Sequence, residues 1–477
     1  MTWTRRRWLT ASMSTLAIQE PAQRPNIVLM LADDLGYGDC GCYNPKARTK
    51  TPAIDELARG GVRFTDAHSP SSVCTPTRYG ILTGRYCWRT HLKSGVLNGE
   101  SPCLIEPGRE TIASMLKKRG YHTGGFGKWH LGLGNSSKTD FQSELRPGPN
   151  DFGFDEYFGI PASLDMPPYL FFENRRVVEA ATSRTENHGV PLRGPYWRGG
   201  PIAPSFRMED VLPKITERAC RFISDSAGRP FFAYVPFNAP HTPWVPVDSA
   251  KGKSAAGLYG DFVGEVDNSV RQIVAELKRH NVLDNSIVIM ASDNGAPWSS
   301  PDMEASGGHR ANASWRGQKA DIQEAGHRIP FIVHCPARFK PRVSAETACL
   351  TDIFATLAAI QGVSLGSSTA EDSYSLLPEL RGESRPSPIR EAIVHHSSQG
   401  LFSIRQGDWK LILGRGSGGF TAPVTIKPGP GEPEGELYNL ARDPHEDDNA
   451  YLQKPEIVRR LKDLLTRYQE QGHSRPL

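Results

Sequence analysis

The chain has 477 residues, 56 Lys+Arg against 52 Asp+Glu, 38% hydrophobic and 23% charged residues. A formal charge of +4 without long like-charge runs excludes a nucleic-acid protein that binds through bulk basic charge, and the apolar content excludes a disordered chain. Eight cysteines, at 40, 42, 74, 87, 103, 220, 335 and 349, are too scattered for a disulfide-dense scaffold or paired zinc spacing, and no run of roughly 20 apolar residues could serve as a transmembrane segment.

In chain order, Thr4-Arg5-Arg6-Arg7-Trp8-Leu9 resembles a twin-arginine export signal and precedes a weakly apolar run to Ile18. It predicts a periplasmic or secreted protein; a cytoplasmic chain with a basic tail is the alternative. From Asn26 the pattern turns regular. Ile27 to Ala32 is a continuous apolar run that suits a strand buried on both faces, and Pro230–Phe237, Ser286–Met290 and Ile329–Val333 repeat the texture. Helical patterns lie between them. Thr51-Pro52 opens one that ends at Gly60-Gly61, Thr111 to Arg119 ends at Gly120, and Phe262, Val266, Val270, Ile273 and Leu277 recur at helical spacing.

Strands alternating with helices predict a three-layer α/β/α sandwich around a mainly parallel sheet. Ligands of such sheets gather beyond the carboxyl ends of the strands, where Asp33, Asp34, His241, Asp293 and Asn294 follow apolar runs. From Ser384 the texture changes to short strands, Ala392–His396, Leu401–Arg405, Trp409–Leu413 and Glu436–Leu440, and an amphipathic helix closes the chain over Pro455–Gln471. The expected organisation is a signal-like segment at 1–23, a catalytic domain at 24–383 and a small C-terminal domain of antiparallel sheet and helix at 384–477.

Asp33, Asp34, Asp293 and Asn294 offer only hard oxygen ligands, which suit Ca²⁺, or less well Mg²⁺, rather than zinc or copper. Each could instead mark a turn. Together, clustered carboxylates without a cation would repel one another, which favours one divalent ion. Cys74 alone would read as a buried inert thiol or half of a disulfide.

Its surroundings change that reading. Ser72-Val73-Cys74-Thr75-Pro76-Thr77-Arg78, followed by Leu82-Thr83-Gly84, resembles the C-x-P-[ST]-R signature of the formylglycine-dependent, type I sulfatases of the alkaline phosphatase superfamily, arylsulfatase-like members included. Further similar motifs follow in order: A-D-D-L-G-Y-G-D at 32–39, G-K-W-H-L-G at 127–132, A-P-H-T-P at 239–243, S-D-N-G at 292–295, R-G-Q-K at 316–319 and E-A-G-H-R-I-P at 324–330. Two details depart from the family's pattern. Tyr79-Gly80 replace small alanines, and Ala325 stands where a second glycine is usual.

The resemblance implies that Cys74 is oxidised to Cα-formylglycine by a formylglycine-generating maturation enzyme that meets it before folding. The hydrated aldehyde would be held on the metal by Asp33, Asp34, Asp293, Asn294 and residue 74 itself, attack sulfur in line, and expel sulfate through loss of its second hydroxyl proton. It also implies that Arg78 orients the formylglycine, Lys128 and Lys319 hold sulfate oxygens, His130 assists sulfate elimination, and His241 protonates the leaving oxygen.

The substrate implied is a sulfated carbohydrate, with 6-O-sulfated N-acetylhexosamine the narrower suggestion; an aryl sulfate could also be cleaved. Residues 184–207 carry Arg184, Arg193, Tyr196, Trp197 and Arg198, which could stack on sugar rings and pair with anions, or form an insertion with no ligand role. His309, Arg310 and Trp315 are weaker candidates, and Asn135 and Asn312 begin glycosylation sequons. Two other functions fit the same motifs: phosphonate or phosphodiester hydrolysis, and glycan binding by a relative whose cysteine is never modified.

Overall fold

The computed structural model describes residues 24–191 and 194–477. The signal-like segment 1–23 and Arg193 lie outside them. A ten-stranded sheet runs through the molecule, and its centre is five parallel strands. We number these β1 (Asn26–Asp33), β2 (His122–Lys128), β3 (Glu156–Ile160), β4 (Phe231–Pro240) and β5 (Ser286–Ser292). Their spatial order is β5-β1-β4-β2-β3.

β1 and β4 are buried along their whole length. Unbroken apolar runs are what a strand covered on both faces requires. Helices α1 (Pro52–Gly60), α4 (Val211–Ser226) and α5 (Gly257–Arg279) pack together over one face. Helices α2 (Cys74–Thr83) and α3 (Ile112–Lys118), with the helix Asp352–Ile360, form a second group over the other. Thr111 caps α3 by accepting from Ser114 N at 3.1 Å, and Ser114 Oγ accepts from Thr111 N at 2.9 Å.

One element departs from the parallel pattern. The run after Ile329 becomes the strand Phe331–His334, which pairs antiparallel with β5. Its apolar residues could not announce this, because direction depends on the connection and not on composition. A strand that the composition conceals is β2, HTGGFGK, whose glycines weaken the apolar signal. They are needed there. A Cβ on Gly127, at φ 143°, would stand 1.9 Å from the Pro236 carbonyl oxygen of β4, and one on Gly159 of β3 would stand 1.7 Å from the Gly127 carbonyl oxygen.

The C-terminal segments form a separate antiparallel sheet of Ile393–His396, Phe402–Gln406, Trp409–Ile412 and Glu436–Asn439, covered by the helix Pro455–Glu470. Among the described residues no helix is long and apolar enough to cross a membrane.

Candidate active site

Because the five central strands are parallel, their carboxyl ends meet on one rim. β1 ends in Asp33 with Asp34 beyond it, β2 ends in Lys128 two residues before His130, β4 leads into His241, and β5 leads into Asp293 and Asn294. Cys74 opens α2 and Arg78 lies one turn further along it. Lys319 comes from the loop after β5, where its N–H donates to Ala296 O at 3.0 Å. All ten expected site residues are buried.

Their charges interlock. Arg78 donates from Nε and Nη2 to Asp293 Oδ2 at 3.1 and 2.7 Å, and from Nη1 to the Lys128 carbonyl at 2.9 Å. Lys128 Nζ lies 2.6 Å from Asp33 Oδ2, and Lys319 Nζ lies 2.7 Å from Asp34 Oδ1. Asn294 Nδ2 donates to Asp34 Oδ1 at 2.7 Å, and His241 Nε2 stands 3.7 Å from Asp34 Oδ2. Burial alone would raise the Asp33 carboxyl, but Lys128, His241, Arg78 and Lys319 outweigh it and hold it far below the carboxylate range. Burial and the neighbouring Asp33 charge push Asp293 up to about 6. Burial opposes the charge on Lys319, yet Asp34 and the other anions raise it, so it stays an ammonium.

The residues fit a hard divalent cation. Asp33 Oδ1 and Asn294 Oδ1 are buried and have no hydrogen-bond partner among the described residues, so two oxygen donors are free at the centre of the cluster. Asp33, Asp34 and His241 bring possible ligand atoms within 4.8 Å of one another. Three carboxylates against three cations, Arg78, Lys128 and Lys319, are neutral as they stand. A divalent ion together with dianionic sulfate would leave that balance unchanged.

His130 shows its tautomer by its partner. Its Nε2 faces the Leu97 carbonyl at 2.7 Å and must therefore carry the proton, while Nδ1 is buried and unpartnered among the described residues. Burial, then Lys128 and Arg78, push its pKa well below the usual imidazole value. It is a neutral ring presenting a lone pair. His241 is fixed the other way round: Nδ1 donates to Thr242 O at 2.5 Å, leaving Nε2 toward the carboxylates. Burial raises the Cys74 thiol, so the unmodified side chain is a poor nucleophile.

Several supporting residues carried no assigned role in the sequence. Asp39 holds the loop after β1 by accepting from Gly36 N at 2.7 Å and Tyr259 OH at 2.5 Å, and its other oxygen meets His309 Nε2 at 2.7 Å. The signal was present, since Asp39 closes the A-D-D-L-G-Y-G-D motif. His309 is thus committed to this buried network. Asn312 exchanges both amide hydrogen bonds with Ala296, which removes its sequon from use as a glycosylation acceptor. Ala325 lies in the short helix Glu324–His327 outside the left-handed region, so the usual glycine is not required. Gly80 is tight against Pro70, where a Cβ would meet Cγ at 3.0 Å.

A second group, His68, His327 and His395, also brings ring nitrogens together, but it is not a metal centre of this form. The His327 and His395 rings stack at 3.8 Å with 9° between their planes, so their in-plane lone pairs cannot converge on one ion. Lys410 Nζ stands 3.1 Å from His327 Nε2 as well.

Residues 25–363 match the family model named Sulfatase. The chain belongs to the sulfatase family. It is 36% identical to an N-acetylgalactosamine-6-O-sulfatase of Bacteroides thetaiotaomicron, over 93% of each chain. It is 32% identical to arylsulfatase A of Homo sapiens, over 96% of this chain and 89% of that one. A solved structure from work on glycosaminoglycan metabolism by Bacteroides thetaiotaomicron superposes with a TM-score of 0.84 at 35% identity, covering 94% of this sulfatase and all of its counterpart. The sulfatase is accordingly a sulfuric ester hydrolase of the alkaline phosphatase superfamily, a family that uses a metal ion and a formylglycine.

Proposed function

We propose that this sulfatase removes sulfate from a sulfated carbohydrate, a 6-O-sulfated N-acetylhexosamine in particular, with residue 74, oxidised to formylglycine, as the nucleophile. The observation that carries the reading is the place of Cys74. Its side chain is buried, unreactive as a thiol, and set at the start of a helix among Arg78, Lys128 and Lys319. The similarity to an N-acetylgalactosamine-6-O-sulfatase supports the hexosamine.

A formylglycine would supply a hydrated aldehyde, and a divalent ion, Ca²⁺ before Mg²⁺, would supply the charge that acidifies its hydroxyl. The chain's own residues supply the rest. Asp33, Asp34, Asp293 and Asn294 hold the ion. Arg78 ties Asp293, which would be one ligand of the ion, to the carboxyl end of β2, where Lys128 would meet the sulfate. Lys128 and Lys319 neutralise charge on the sulfuryl oxygens. His130, neutral with a free Nδ1, would accept at that atom the proton whose loss expels sulfate. His241, whose Nδ1 proton is held by Thr242 O, would give one from Nε2 to the departing alcohol oxygen when its ring carries a proton on both nitrogens.

The competing phosphodiester reading is tested by kcat/KM for matched aryl sulfate and phosphodiester substrates. A clear preference for sulfate is expected, and the opposite preference would overturn the assignment. Intact mass of the peptide around Cys74 tests the nucleophile. Conversion lowers it by about 18 Da, and an active preparation retaining the thiol contradicts the proposal. Oxidation before folding, by a dedicated maturation enzyme, is part of the same reading, because Cys74 is 2% exposed once folded. Export through Thr4–Leu9 is proposed on the pattern alone, and replacement of Arg5 and Arg6 by lysine should leave the protein in the cytoplasm.

A further inference from the structure

We propose that Asp165 and Arg198 read the ring hydroxyls of the sugar that bears the sulfate, a role that rests on the carbohydrate reading above. The five parallel strands explain why these two residues belong to the rim. β5, β1, β4 and β2 lead into Asp293 and Asn294, Asp33 and Asp34, His241, and Lys128 and His130, and the remaining strand, β3, delivers the segment Pro161–Asp165. That segment lies against the sulfate pocket: Trp129 N donates to Ile160 O and His130 N to Pro161 O, both at 3.0 Å.

Arg198 comes from the other side of the site. It sits on a flap built on the hairpin strands Ser183–Thr185 and Gly200–Ile202. Near the flap's tip, Gly194 O accepts from Thr242 Oγ1 at 2.7 Å and from Trp244 N at 2.9 Å, beside His241. Arg198 N donates to Asp165 O at 3.1 Å, and Arg198 Nη1 pairs with Asp165 Oδ2. The ion pair therefore connects the arm that holds His130 to the arm that follows His241.

The pair is half finished. Asp165 is 2% exposed, and its Oδ1 is a buried carboxylate oxygen without a partner among the described residues. Ser163 Oγ, two residues before it, is likewise buried and unpartnered. Leaving such groups unsatisfied is costly, so a site of this kind is completed by a polar ligand. The Arg198 side chain stays 38% exposed, so the pair is not closed off from solvent on the arginine side.

The chemistry selects the ligand. A paired carboxylate and guanidinium carry no net charge and would not compete with Arg78, Lys128 and Lys319 for sulfate. They suit a neutral group that both donates and accepts, the carboxylate accepting from a hydroxyl and the guanidinium donating to its neighbour. Trp197, stacked on His188 with 4.1 Å between ring centroids and donating from Nε1 to Thr185 Oγ1 at 3.2 Å, stiffens the flap that presents Arg198.

The test compares N-acetylgalactosamine 6-sulfate with an aryl sulfate that has no ring hydroxyls, in wild-type enzyme and in Asp165→Asn and Arg198→Ala. The ratio of the two kcat/KM values is expected to fall about 10- to 100-fold in each variant, the loss that follows when a hydroxyl-reading group is removed. The 3-deoxy and 4-deoxy analogues provide a second readout. Wild-type enzyme should discriminate against at least one of them, and the variants should lose that discrimination.

A ratio unchanged in both variants, equal losses on both substrates, or undiminished discrimination against the deoxy sugars overturns the assignment. Should Asp165→Asn fail to fold, Arg198→Ala alters a partly exposed side chain and carries the test. Wild-type enzyme that cleaves the aryl sulfate but no sugar sulfate would instead remove the carbohydrate reading, and this inference with it.

Discussion

The side chains of the site divide into those that hold charge and those that hold a proton, and the division comes from their immediate partners. Arg78 and Lys319 are locked as cations by the carboxylates they touch. His130 is locked as a neutral base by burial beside Lys128 and Arg78. Cys74 lies among these groups without supporting them, because its small buried side chain makes no ion pair among the described residues. Cys74→Ala should therefore fold with a melting temperature close to wild type and bind Ca²⁺ in a calorimetric titration, while turnover falls by about 10³-fold or more, as expected when a nucleophile is removed. Near-normal turnover in that variant would show that another group attacks sulfur.

Between the residue and the sheet stands β2, whose sequence looks least like a strand and whose position matters most. It carries Lys128 at its end and lies between β4 and β3, with glycines where its neighbours' backbones come closest. Gly127→Ala is expected to destabilise the protein by more than about 3 kcal/mol, because the added Cβ meets backbone on β4 and the φ of 143° does not suit an L side chain. Thermal unfolding and soluble yield measure this. A melting temperature within a degree or two of wild type would mean that the strands can part at this point without cost.

The two sheets meet at the nucleophile. Ser72 N donates to the carbonyl of His396, in the first strand of the small sheet, at 3.2 Å, and Ser71 Oγ donates to the same oxygen at 3.1 Å. Ile322 N donates to Ser417 O at 2.8 Å, and Lys410 Nζ donates to Ile322 O at 2.9 Å, so the loop bearing Lys319 is anchored there too. The small sheet thus helps position both sides of the sulfate pocket.

Its junction is sensitive to acid. Burial pushes His396 down to about 4 against a smaller opposing pull from the Ser397 backbone, and neither ring nitrogen makes a well-formed hydrogen bond among the described residues. The neutral ring contributes its full share above the unfolded value near 6.5, and that share is lost as pH falls toward about 4. Measured unfolding free energies of wild type and His396→Leu should therefore move apart between pH 7.5 and pH 4.5, by up to about 3 kcal/mol in the variant's favour. A difference that does not depend on pH would mean that His396 titrates alike folded and unfolded.

Much of the site is legible in the chain itself, because the chemistry needs particular atoms in a particular order. The paired Asp33-Asp34, His241 and Asp293-Asn294 stand at the ends of runs whose apolar character already marks buried strands, while Cys74 with Arg78 one helical turn later, Lys128 with His130, and Lys319 stand out by motif alone. The alternation of those runs with helical patterns is local information, and it suffices for a mainly parallel sheet with a rim of polar residues.

Pairing is not local, and the remaining features depend on it. The partner of each carboxylate, the proton on His130 Nε2 rather than Nδ1, the reversed direction of Phe331–His334 and the glycine-rich strand ending at Lys128 arise from backbones that meet in space and not along the chain. The same holds for Asp165 and Arg198, which nothing in the linear order joins. A strand's neighbour, and not its own sequence, decides where its last side chain points and whether a buried oxygen finds a partner.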